Sequence, residues 1–238
     1  MNKIVLVLII IISILSGIAF AKNKKELLNF KVFSHDKEVY ILAKAIKETG
    51  TETRQYTGEK YIYKYMLITE KKKTVFLGEG IGDKITWSLD DKYFIFNVDN
   101  YFNCKIYNKD GDIIFDCSNG KYCYPKWLSD RIIIMREGYN KDRLLTGAIY
   151  KYDAENRKLE LFFDYPGKPV NAVGEDVDPI PEPVIDSEKK LIEVIFHRDE
   201  NMIYNEKGKN EWQSCKKIKI NIDFEGRIID KEINIIKY

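Results

Sequence analysis

The chain alternates apolar and polar residues with a period of two, and the clearest stretch runs from Trp87 to Asp116. There Tyr93, Ile95 and Asn97 fall on one side of an extended strand, while Phe94, Phe96 and Val98 form a wholly apolar other side. A second strand, Cys104 to Tyr107, reaches Asn108-Lys109-Asp110-Gly111-Asp112 and returns as Ile113-Ile114-Phe115. An Asn side chain opens such a turn by bonding to its own backbone, and Gly supplies the positive φ that a three-residue hairpin loop needs at its end.

The same connection recurs at Asp153-Ala154-Glu155-Asn156-Arg157, with Asn156 where Gly stood, at Asn205-Glu206-Lys207-Gly208-Lys209, and at Asp223-Phe224-Glu225-Gly226-Arg227. A β-rich run precedes each. Further strands are predicted at Tyr61 to Thr69, returning after a charged turn as Thr74 to Leu77. They are also predicted at Ile132 to Met135, at Leu191 to Phe196, at Ile218 to Ile222 with Lys217, Lys219 and Asn221 on a wet face, and at Ile228 to Ile236. Leu42 to Glu48 fits a strand or a helix, and strand is preferred. Val170 to Pro183 breaks the pattern with four of the six prolines in or beside it, together with Glu175, Asp176, Asp178 and Glu182. It reads as an exposed, stiff connector that excludes a central strand. The pattern therefore predicts an all-β fold of antiparallel β-hairpin repeats, arranged as a propeller-like or an open meandering sheet.

Residues 1–21 carry a different signal. A short positive front at Asn2-Lys3, an apolar run from Ile4 to Leu15 and the small-x-small Ala19-Phe20-Ala21 predict a cleaved leader. At ~1.5 Å per residue, Ile4 to Phe20 spans about 25 Å against a hydrocarbon core of ~30 Å, which favours cleavage over anchoring. The expectation is an exported protein of the periplasm or cell exterior, with residues 22–238 as a single β domain. It would touch a membrane only if the first segment stayed uncleaved.

A formal net charge of +2 spread along 238 residues gives no electrostatic reason to expect nucleic acid as a partner. All four cysteines, Cys104, Cys117, Cys123 and Cys215, survive cleavage, so two disulfides are allowed in an oxidising compartment. Cys104 faces Cys117 across a two-residue loop, a three-residue loop offsets them, and Cys117 with Cys123 could instead close a small ring. Metal binding is the poorer reading, because no C-x-x-C pair exists and histidines are scarce.

Candidate chemistry is sparse. His197-Arg198-Asp199 is similar to a kinase catalytic loop, but the position that would hold the metal-binding Asn is Tyr204 and no Gly-rich nucleotide loop accompanies it, so it reads as a polar turn after a strand. Gly78-Glu79-Gly80-Ile81-Gly82 lacks a following helix and reads as a connection between hairpins. Asn108, Asp110 and Asp112 place oxygens at alternate positions without the Gly and Glu of a calcium loop. No catalytic residue, cofactor or metal site is assigned. A hydrolase using His35 or His197 with nearby carboxylates is the alternative to a binding protein.

Trp127 stands 40 positions after Trp87, and each precedes a polar turn and an apolar strand. With W-S-L-D-D at Trp87 to Asp91, W-L-S-D at Trp127 to Asp130, and fainter copies at Ser34 to Lys37 and Asp186 to Lys189, the chain resembles the repeat of TolB-like β-propellers. In that repeat an aromatic, S-P-D-G and an apolar strand open each blade. The resemblance implies a binding or scaffolding role, and the expected partner is an envelope protein or a surface glycan. Among the aromatics, Tyr122, Tyr124, Trp127 and Tyr139 are the candidate contact residues, placed in loops where they could stack on a ligand; buried, they would fill the space between sheets.

Overall fold

The computed structural model describes residues 29–50, 61–81, 84–97, 104–117, 122–137, 144–145, 147–166, 170–171, 182–204 and 210–237. The predicted leader, the predicted turn at 205–209, Tyr139 and most of the Pro-rich connector lie outside the described residues. The chain divides into two compact units at Gly82 and Asp83. Among the described residues there is no helix long and apolar enough to cross a membrane.

The first unit holds one antiparallel sheet whose strands follow chain order: β1 (Asn29–Phe33), β2 (Tyr40–Glu48), β3 (Tyr61–Ile68) and β4 (Thr74–Gly80). The ambiguous run at Leu42 to Glu48 is a strand. Its alternation sends Ile41 and Ala43 to a buried face beside Leu67 and Tyr65, their register partners. The glycine-rich stretch does not begin as a connection: β4 continues through Gly80, and Gly78, at φ 149°, sits where the β3–β4 register shifts. Glycine relieves that bulge and lets the strand run on.

The second unit contains three more four-stranded antiparallel sheets. One comprises β5 (Lys84–Trp87), β6 (Tyr93–Asn97), β7 (Lys105–Asn108) and β8 (Ile113–Asp116). The next comprises β9 (Tyr122–Trp127), β10 (Ile132–Glu137), β12 (Ile149–Asp153) and β13 (Lys158–Phe163). The short β11 (Leu144–Leu145) pairs with β14 (Val170–Asn171). The last sheet comprises β15 (Val184–Asp186), β16 (Leu191–Tyr204), β17 (Asn210–Asp223) and β18 (Ile228–Lys237). All four sheets are meanders in chain order, the repeat that the hairpin pattern predicts. Their strands and their connections both differ in length, which is why the spacing of their starts is uneven.

Within this unit the sheets stack face to face. Ile133 and Met135 of β10 pack with Ile95, Ile106, Tyr152 and the Cys104–Cys117 pair. Ile134, pointing the other way, packs with Ile149, Val194, Phe196, Ile218 and Ile220. The middle sheet is therefore covered on both faces, and the unbroken apolar run of β10 follows from that. A disulfide joins Cys104 to Cys117 with their Cα atoms 5.3 Å apart, and both side chains are fully buried. The side chains of Cys123 and Cys215 lie outside the described residues.

The turns share one construction with variations. Asn108 Oδ1 accepts from Asp110 N (3.1 Å) and Asp112 N (2.8 Å), with Gly111 at φ 92°. Asp223 Oδ1 accepts from Glu225 N (3.0 Å) and Arg227 N (2.8 Å), with Gly226 at φ 86°. The turn at Asp153 departs from this. The left-handed residue is Arg157 at φ 53°, one place beyond Asn156, because Asp153 pairs with Lys158 across a four-residue loop. His197-Arg198-Asp199 is not a turn either. It lies inside β16, with His197 and Arg198 buried, since that strand runs on well past Phe196.

Candidate functional site

The predicted contact loop at Tyr122 to Trp127 is an edge strand, β9, interrupted by a bulge. Ile134 pairs with Lys126 and Arg136 with Cys123, so Tyr124 and Pro125 together oppose one residue. Tyr124 takes φ 53°, a left-handed conformation in which a non-glycine residue is strained. The adjacent Pro125 could not donate to a ladder in any case, so this edge is one of the few places a sheet admits it. The bulge also reverses the pleat. Tyr122 points inward, 7% exposed, with its ring 5.9 Å from Phe115 and 5.1 Å from Tyr150, whereas Tyr124, Pro125 and Trp127 are half-exposed.

Those three residues form one wall of a cleft of 510 Å³. Lys84, Ile85 and Thr86 of β5, with Ile95 and Asn97 of β6, form the opposite wall, and Lys126 and Glu182 stand at the cleft as well. Trp127 Nε1 donates to Thr86 O at 3.2 Å, tying β9 to β5 and fixing the ring orientation. Ile85 and Ile95, both buried, give the cleft an apolar lining.

Two polar features break that lining. Glu182, just before β15, reaches Lys126 Nζ at 2.9 Å and Lys84 Nζ at 3.9 Å, so one carboxylate bridges ammonium groups from two different sheets. All three side chains are at least one-third exposed, and such pairs contribute little to stability. Asn97 is 8% exposed, and its Oδ1 is buried without a hydrogen-bond partner. Leaving an amide oxygen so costs about 1–3 kcal/mol.

The cleft lining includes neither His35 nor His197. His35 lies in the Ser34–Val39 turn of the first unit, and His197 is 2% exposed. Among the described residues no three of His, Cys, Asp and Glu come together as a metal requires. A second concavity of 350 Å³, lined by Arg131, Lys151, Asp153, Lys158 and Glu160, spends its charges internally: Glu160 holds Lys151 at 2.8 Å and Lys158 at 3.0 Å.

Tyr124 and Trp127, named from sequence as loop contact residues, line the cleft, and sequence reasoning did not single out Lys84, Asn97, Lys126 or Glu182. Nothing distinguishes these from the other charged and amide residues of a chain that is 32% charged. Pro125 inside an aromatic run was the one local sign of a bulge.

No protein-family model matches the chain, and no curated protein matches it. Among solved structures it is similar to a eukaryotic initiation factor, at 10% identity and a TM-score of 0.48, over 88% of this chain and 43% of that one. It is similar also to the tricorn protease, at 14% identity and a TM-score of 0.42, over 80% of this chain and 17% of that one. A third similarity is to TolB from Acinetobacter baumannii, at 12% identity and a TM-score of 0.32, over 87% of this chain and 54% of that one. The chain thus spans less than two thirds of the length of each.

Proposed function

We propose that this chain is an exported, non-catalytic binding module of the cell envelope that takes a surface glycan in the cleft between β5, β6 and β9. The observation that carries this reading is the β9 bulge, which sets Tyr124, Pro125 and Trp127 side by side as a half-exposed apolar wall of a cleft that Asn97 also lines. Flat aromatic surface with a few converging polar groups is the usual make-up of a small-ligand site, and sugar rings offer a C–H face with hydroxyl edges to match it. Residues 1–21 support export. The hydrolase alternative is weaker, because each histidine would have to act away from this cleft.

The test is binding of the purified protein to a panel of envelope polysaccharides and envelope proteins, with Trp127→Ala and Tyr124→Ala as variants and circular dichroism to confirm folding. Glycan binding lost in both variants supports the reading. Binding indifferent to both, or turnover of a chromogenic glycoside or ester, overturns it.

A further inference from the structure

The first sheet buries one face only. Ile41, Ala43, Tyr65 and Leu67 on that face are fully buried, whereas Leu42, Met66 and Ile68, which alternate with them along the central strands β2 and β3, stay half-exposed. The register carries this second face out to both edges. Phe33, Tyr40 and Ile68 form one row, and Lys31, Leu42, Met66 and Phe76 form the next, with Phe33 47% and Phe76 57% exposed. A third row sets Lys44 and Lys64 beside Glu79, and Lys47 lies beyond it, so the charged groups of this face among the described residues are four lysines and one glutamate. Lys31 Nζ stands 4.7 Å from the centre of the Tyr40 ring and 5.9 Å from that of Phe33, and Lys64 Nζ stands 5.1 Å from that of Phe76. Each of these cations is held against a ring, so charge and apolar surface interleave. The solvated face of the last sheet is built differently: there Lys219 lies opposite Glu232 and reaches Glu193 at 2.8 Å.

We propose that this half-exposed face rests on an anionic phospholipid bilayer. Rings and aliphatic side chains interleaved with lysines match the headgroup layer, where aromatic bodies settle at the boundary with the acyl chains and lysine stems carry their ammonium groups up to phosphate. A protein partner fits the face less well, because protein interfaces are depleted in lysine and keep charge out of their buried centre. A second copy of this chain fits worse still, since apposing the face to itself sets its lysines against one another. The formal net charge of +2 conceals the patch, because the acids that balance these lysines lie elsewhere in the sequence. Contact of this kind requires no spanning segment. It stands apart from the glycan reading, because its residues belong to the first unit and those of the cleft to the second.

The experiment is co-sedimentation of the mature protein, recovered after export with residues 1–21 removed, with vesicles of phosphatidylcholine alone and of phosphatidylcholine and phosphatidylglycerol in equal parts, at low ionic strength. The expected result is binding to the anionic vesicles only. Lys31→Gln with Lys64→Gln should weaken it about thirtyfold, the loss of two lysines at the surface. Phe33→Ala with Phe76→Ala should weaken it at least about tenfold, whereas Phe33→Tyr with Phe76→Tyr, which keeps both rings, should retain most of it. Lys158→Gln with Lys189→Gln, an exposed pair in the second unit, should leave it unchanged. Circular dichroism confirms that each variant folds, and if the alanine pair does not, the lysine and tyrosine pairs decide. The proposal falls if the protein stays in the supernatant with both vesicles, sediments equally with both, or binds as well without Lys31 and Lys64, or without the two rings, as with them. It falls also if the control pair weakens binding as much as the loss of Lys31 and Lys64, or if the face captures an acidic protein while ignoring vesicles.

Discussion

Ser88 donates through Oγ to Asp90 Oδ1 at 2.8 Å and accepts from Tyr93 N at 3.1 Å, so one buried hydroxyl closes the turn between β5 and β6. Ser34 and Asp36 repeat the arrangement in the other unit, at 2.6 Å, with Val39 N donating to Ser34 Oγ at 3.2 Å. In both turns the residue after the Asp adopts a left-handed conformation, Lys37 at φ 64° and Asp91 at φ 56°. In S-P-D-G of the TolB-like repeat, that place belongs to glycine. Both turns therefore hold a non-glycine residue in a conformation that glycine adopts at less cost.

Two opposite substitutions follow from this. Lys37→Gly should stabilise the first unit by about 0.5 kcal/mol, the relief of left-handed strain being partly offset by glycine's greater freedom when unfolded. Ser88→Ala should destabilise the second unit by about 1–3 kcal/mol, since it leaves Tyr93 N without this acceptor in a buried turn. Urea midpoints at unchanged m-value measure both. A neutral Ser88→Ala would mean that the hydroxyl does not close the turn.

The turn aspartates make stability fall in acid. In Asp90, Asp153 and Asp223 partial burial pushes the carboxyl pKa up. Hydrogen bonds outweigh it, from Ser88 and Lys92 to Asp90, from Asn156 to Asp153 and from Arg227 to Asp223, and all three values end below the ordinary one. The unfolded chain therefore takes up protons first as pH falls. The stabilisation is complete above the unfolded value of about 4 and disappears as pH drops through the lower folded values. Thermal midpoints should be flat from neutral pH to about 5 and decline steeply below 4, with a shallower decline in Asp223→Asn, which keeps an acceptor at the turn but not the charge.

Strands with one buried face were legible from period-two alternation, as at Ile218, Ile220 and Ile222, all buried. β10 was legible as apolar, but an apolar run does not say that Ile133 and Ile134 serve two different interfaces. β9 was hidden because Tyr124 and Pro125 both look like loop residues, and the bulge they form inverts the alternation that would have told Tyr122 from Tyr124. The cleft was the least legible. Its residues come from β5, β6, β9 and the approach to β15, and only the face-to-face stacking of sheets brings Asn97, Lys126 and Glu182 to one place.

The Cys104–Cys117 bridge spans 13 positions and holds the start of β7 to the end of β8. Closing a loop of that size should contribute about 3 kcal/mol, chiefly by restricting the unfolded chain. A Cys104→Ala/Cys117→Ala double variant should lose that amount in denaturant midpoint, and non-reducing peptide mapping should recover Cys104 joined to Cys117. Equal stability of the reduced and oxidised protein would contradict the assignment.

Arg198 gives the most specific structural prediction, because its contacts to carbonyl and carboxylate oxygens differ in kind. With 5% of its side chain exposed, it donates from Nε and NH2 to Tyr165 O at 3.1 and 2.9 Å, and from NH2 to Asp164 Oδ1 at 2.9 Å, holding β16 to the residues that follow β13. Burial pushes the guanidinium pKa down and Asp164 pushes it back up, but an arginine stays charged at any pH where the protein is folded. The fork matters more than the charge. Lysine offers one ammonium and cannot reach the carbonyl from two nitrogens while also meeting the carboxylate. Arg198→Lys should therefore lose most of what Arg198→Met loses, about 2 kcal/mol, the order expected when buried charge-assisted bonds are removed. Asp164→Asn should lose much less, since Asp164 is 47% exposed and Tyr165 O keeps both donors. Chemical denaturation of the three variants checks this order, and full rescue by lysine would show that charge alone is what β16 needs there.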